Sequence, residues 1–168
     1  EFTFVKYDAA EIAAIVAELA EQLELANPLR VIVDETTPLA KVSEEVDAVS
    51  SDATITLRAE SGALEDRRHP MSFSADVARE SLGRILLRAH DRMRPDFADA
   101  PGDLDLTLEQ NAAWDTYCAG RLARMGVRVN QQRWRYNHRN RFGFHDDVDA
   151  HFDQLWAADD LGWADVTR

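Results

Sequence analysis

The chain has 168 residues, 45% hydrophobic and 30% charged, a size and composition that suit one globular domain and leave little room for a second. Its formal net charge of -12, from 31 acidic against 19 basic residues, makes the average surface repel nucleic acid and anionic membranes. There is no apolar run of about 18 residues and no basic-then-apolar opening, so neither a membrane span nor a signal peptide is expected. The single cysteine, Cys118, excludes an internal disulfide and a multi-thiolate zinc site and points to a reducing, cytoplasmic setting for a soluble protein.

Residues 2–7 are aromatic and β-branched and predict a first strand that stops at Asp8. Asp8 and Glu11 then have the spacing of a helix start, and Ile12, Ile15, Val16, Leu19 and Leu23 recur at three and four until Asn27-Pro28 ends the helix. Leu29 to Val33 reads as a central strand, and Asp34 to Pro38 as a turn. Lys41 to Val49 fits either helix or edge strand; its β-branched valines and the closing Ser50-Ser51-Asp52 favour the strand. Ala53 to Ala59 alternates Ile55 and Leu57 with Thr54, Thr56 and Arg58, the period of a strand covered on one face.

Beyond a charged loop from Glu60 to Pro70 the pattern turns helical. Ser74 caps a helix to about Met93, with Val77, Leu82, Ile85, Leu86, Ala89 and Met93 on its apolar stripe. A second starts at Thr107, where Gln110 completes a capping box, and ends at Gly126. A third runs from Asp146 to about Ala158, and Leu161 and Trp163 fold back over it. The order predicts a single α+β domain over residues 1–168: a small mixed sheet with an N-terminal helix and three or more C-terminal helices.

Within the helix after Ser74, Leu82-Gly83 resembles the middle of the His-Glu-x-x-His helix of minimal zincin-type metallopeptidases. In that family two histidines hold zinc and the glutamate acts as general base on a metal-bound water. The resemblance places Glu80, Ser81 and Arg84 at the three chemical positions. A guanidinium stays charged and cannot ligate zinc, and serine is no base, so the resemblance implies a degenerate, non-catalytic frame.

No other catalytic signature stands out. His69, His90, His138, His145 and His151 show no ready-made pair spacing, although His145, Asp147 and His151 lie close enough along the chain to make a divalent-metal hydrolase the rival reading. Cys118 sits among helical residues, where an inert thiol is the default. Neither a nucleophile elbow nor a glycine-rich phosphate loop occurs. No catalytic residue, metal ligand or cofactor is assigned, and the balance lies against an enzyme.

One block departs from the rest. From Thr116 to His145 there is no acidic residue but seven arginines, leaving 12 basic and 31 acidic groups on the other 138 residues. Its centre, Gln131 to Phe144, interleaves arginine with aromatics and amides. Such a block can fold inward, guanidinium groups on carboxylates and rings in the core. Exposed, it would make a contact surface of Arg133, Trp134, Arg135, Tyr136, Arg139 and Arg141, for a protein partner ahead of nucleic acid and not for a membrane. A non-catalytic interaction or scaffold role is the favoured function.

Overall fold

The computed structural model describes residues 2–50 and 52–168; Ser51, part of the expected turn after Val49, lies outside them. The architecture is α+β, with a small mixed sheet, an N-terminal helix and several C-terminal helices. The chain divides into two compact units, residues 1–93 and residues 94–168.

In the first unit, α1 (Ala9–Gln22) starts where the Asp8 carboxylate accepts the Ala10 N–H at 2.8 Å. Its buried stripe is Ile12, Ile15, Val16, Leu19 and Ala20. Three strands follow, β1 (Leu29–Asp34), β2 (Val42–Val46) and β3 (Ile55–Glu60), in the order β1-β3-β2. β1 runs parallel to β3, with Leu29 opposite Ile55, Val31 opposite Leu57 and Val33 opposite Ala59. β2 pairs antiparallel on the other side of β3. Ile55, Leu57 and Ala59 are buried, so this face of the central strand is the covered one. α2 (Ala75–Arg92) is capped by Ser74 and packs along α1 and over β2 and β3. Glu44 on β2 is buried and receives the Nε–H of Arg92.

The strand expected over residues 2–7 does not form. Lys6 makes one isolated bridge to Ser72, and the N–H groups of Thr3 and Phe4 donate to the Glu35 carboxylate at 2.7 and 2.6 Å. A side chain satisfies these donors where a neighbouring strand would have done so. The preference for a strand at Lys41 to Val49 matches β2.

The second unit is helical. α3 (Leu108–Arg124) opens on the Thr107–Gln110 capping box, both reciprocal bonds present, and closes before Gly126, whose φ of 87° is the left-handed turn expected there. α4 (Gln131–Phe142) and α5 (Asp146–Ala157) form an antiparallel pair joined through Gly143 at φ 112°. α6 (Trp163–Val166) places Trp163 against Trp114 and Phe97, with ring centroids 5.2 and 6.2 Å apart. The Tyr117 hydroxyl donates to the Asp159 carbonyl and accepts from Leu161 N–H, fixing this last segment to α3. α3 and α5 approach so closely that a Cβ on Gly120 would stand 2.1 Å from the Trp156 carbonyl oxygen.

Candidate functional site

The centre of the arginine-rich block is α4, and its inward face sets Trp134 among polar residues. Asn130 caps the helix by accepting the Arg133 N–H at 3.1 Å. Positions 134, 135, 138 and 139 then face α3 or α5. Trp134 is buried with Ala119 and Phe152. Arg139 forks onto Asp149, Nε to Oδ1 at 2.8 Å and Nη2 to Oδ2 at 2.5 Å. Arg135 pairs with Asp153 and, at 3.5 Å, with Asp149, while its guanidinium lies 4.3 Å above the Phe152 ring. The Arg139 guanidinium in turn holds the Asp149 carboxyl below its ordinary range. Asp149 lies in the first turn of α5, where it also suits the positive end of the helix dipole.

The outward face carries different residues. Tyr136 is 58% exposed and Phe144 64%, their rings in an edge contact at 6.0 Å. Arg141 is exposed and, with Asn137 and Asn140, lines a polar groove of about 300 Å³ against Asn111 and Leu108 of α3. Arg133 is half-buried and sits 5.5 Å from the Trp134 ring. Of the six residues singled out in the block, Trp134, Arg135 and Arg139 are thus engaged with α3 and α5, and Tyr136 and Arg141 face outward.

Between the helices lies a pair that spacing along the chain did not show. His138 is fully buried, and its Nε2 is 3.2 Å from Nδ1 of His151. Its Nδ1 is 3.3 Å from the Thr116 hydroxyl, which donates to the Ala112 carbonyl at 2.8 Å. With its only proton spent on Ala112, Thr116 accepts from His138 Nδ1–H. His138 Nε2 is then the acceptor for His151 Nδ1–H, and both rings are neutral. Burial, reinforced by Arg135 and by His151 once it takes up a proton and opposed by Asp149, pushes the His138 imidazole down to about 4. Burial also lowers His151.

Hydroxyl, imidazole and imidazole in a row have the order of a hydrolytic triad, but the protons run the wrong way. A general base must accept the nucleophile's proton, whereas His138 donates to Thr116. Thr116 is also 1% exposed and mid-helix, where the surrounding N–H groups are already spent on the helix. The row is an internal latch between α3, α4 and α5.

The rival metal set does not assemble. His151 turns to His138, while His145 and Asp147 are exposed. No group of three or more His, Cys, Asp or Glu side chains that could hold a metal occurs among the described residues. Cys118 is fully buried and accepts a hydrogen bond from Arg121 at 3.4 Å. On α2, Leu82 and Gly83 are buried, and Glu80, Ser81 and Arg84 are half-buried.

No protein-family description, no curated protein and no solved structure matches the chain. The geometry therefore carries the functional argument alone. No helix among the described residues is long and apolar enough to cross a membrane.

Proposed function

We propose that the protein is a non-catalytic interaction domain that uses the outward face of α4 and the turn after it to hold a protein partner. The supporting observation is the Tyr136–Phe144 pair: two large aromatic rings, both more than half exposed, one on α4 and one in the turn after it, while the inward side chains of α4 are anchored to α3 and α5. Tyrosine and arginine are the residue types that dominate binding energy at protein interfaces, and here Arg141 and three asparagines line a groove between α4 and α3. A rigid helix presenting such residues loses little entropy on association.

Nucleic-acid binding through the same block is the weaker reading, because Asp149 and Asp153 already match the charges of Arg135 and Arg139. The zincin resemblance enters this proposal only as ancestry: Arg84 and Ser81 on α2 supply neither a metal ligand nor a base. A reducing, cytoplasmic setting belongs to the same reading and is supported by the lone buried thiol of Cys118.

The test is a triple variant, Tyr136→Ser, Arg141→Glu and Phe144→Ser, compared with the wild-type chain in cross-linking capture from the source cells. Proteins retained by the wild type should be lost, with Tm unchanged to within about 2 °C. Equal retention by both chains would refute the proposal.

A further inference from the structure

A second surface lies in the first unit, on the open side of β1. β1 is an edge strand, paired only with β3 among the described residues. The Ile55 N–H donates to the Pro28 carbonyl, so Pro28 turns its backbone toward β3. Alternation along the strand then turns the N–H and C=O groups of Leu29, Val31 and Val33 to the free side. A row of backbone donors and acceptors waits there without a strand.

The side chains of the same three residues border an apolar groove of about 390 Å³, whose other wall is Ile12, Ala13 and Val16 of α1 and which the chain's own Phe2 also lines. Incomplete cover shows in the burial of the strands: Ile55, Leu57 and Ala59 of β3 are buried, whereas their β1 neighbours Leu29, Val31 and Val33 are only half-buried. Widths explain the gap. Two helices packed about 8–10 Å apart cover roughly four strands spaced about 4.8 Å. Over these three strands α2 takes β2 and β3, and α1, packed beside α2, faces β1 across the groove. α1 therefore shelters β1 and the place of one strand more.

We propose that this place takes an extended segment of a partner protein, which adds to β1 as a fourth strand and sets every second side chain, apolar and of valine or leucine size, under α1. The backbone row requires an extended occupant, and the groove selects the alternating apolar pattern. A helix would leave the β1 N–H and C=O groups unmet. Direct pairing with β1 of a second copy would bring two overhanging α1 helices into the width of one strand, so a single inserted strand fits better. Nothing in this inference depends on α4, and the two proposals stand or fall separately.

The probe is a phage-displayed library of random dodecapeptides, selected on the intact chain and on an Ala13→Phe variant that fills the groove from an exposed position of α1. Selection should enrich peptides with apolar residues at alternate positions, and Ala13→Phe should weaken their binding about tenfold or more. The best peptide, resynthesised, should slow hydrogen exchange at Val31 and Val33 N–H, and N-methylation of its β1-facing amides should abolish binding. If Ala13→Phe proves unstable, the N-methyl pair decides on the wild-type chain alone. No enrichment, enrichment without alternation, or undiminished binding of the N-methylated peptide overturns the proposal. So does a wild-type dimer in sedimentation that Ala13→Phe dissolves, since the edge would then belong to a second copy.

Discussion

His138 of α4 and His151 of α5 meet ring nitrogen to ring nitrogen at 3.2 Å, and the first of them is fully buried. The link needs a neutral His138, whose Nε2 is the acceptor. One added proton fits on His151, whose Nδ1–H can still donate, but a proton on His138 Nε2 sets two donors face to face. Arg135 and Asp149 are the charged neighbours that bear on the imidazole, with opposite sign.

Acid should therefore loosen the second unit. The folded His138 stays neutral down to about 4, while the unfolded side chain titrates near 6.5. The folded state binds fewer protons in between, so stability is complete above about pH 6.5 and falls as the pH drops toward 4, by about 3 kcal/mol. The lowered His151 acts in the same direction. Urea denaturation at a series of pH values should show this decline, and a His138→Gln variant should show a shallower one whatever its stability at pH 7. Parallel profiles would reject the assignment.

The Arg139–Asp149 fork should behave as a coupled pair. Arg139→Ala and Asp149→Ala should each lower Tm, and the double variant should lose less than the two single losses combined. Added salt should weaken the coupling, because both side chains are partly exposed. Strictly additive losses would show that the fork contributes nothing measurable.

Neighbouring aromatics on α4 should respond in opposite ways. Trp134 is 7% exposed and Tyr136 58%. Trp134→Ala should cost about 3–5 kcal/mol through the cavity it leaves beside Ala119 and Phe152. Tyr136→Ala should stay within about 0.5 kcal/mol. Thermal melts of the two variants check this directly.

Gly120→Ala is the smallest substitution with a large expected effect. The added methyl meets the Trp156 carbonyl, which is backbone and cannot rotate away. A loss of about 3 kcal/mol follows from overpacking. A melt within a degree of wild type would mean that α5 slides freely along α3.

The parts of the fold that sequence displayed well are those with local chemistry. Asp8, Ser74 and Thr107 mark their helices because a short polar side chain beside an apolar periodic run serves the same purpose in any context. β3 was visible from its alternation. Residues 2–7 misled because their composition suits a strand while no neighbour offers them a ladder, and Glu35 satisfies their donors from 31 or 32 positions away. α4 escaped periodicity altogether. Its inward positions hold two arginines and a histidine, and their burial is explained only by Asp149, Asp153 and His151 on another helix. The possibility that the arginines turn to carboxylates could be raised from charge, but the division into an anchored and an open face required the helix pair. The His138–His151 contact follows once α4 and α5 are known to fold back on each other, since His138 stands four residues before the end of α4 and His151 five after the start of α5.

The contact of Gly120 with Trp156 fixes the spacing of α3 and α5 by main chain on one side and a missing side chain on the other. No exchange of one residue for another can widen that gap gradually, because the next larger side chain already collides. Lineages carrying this unit would have to keep the position or move both helices at once, so position 120 should tolerate less drift than the aromatic core around it.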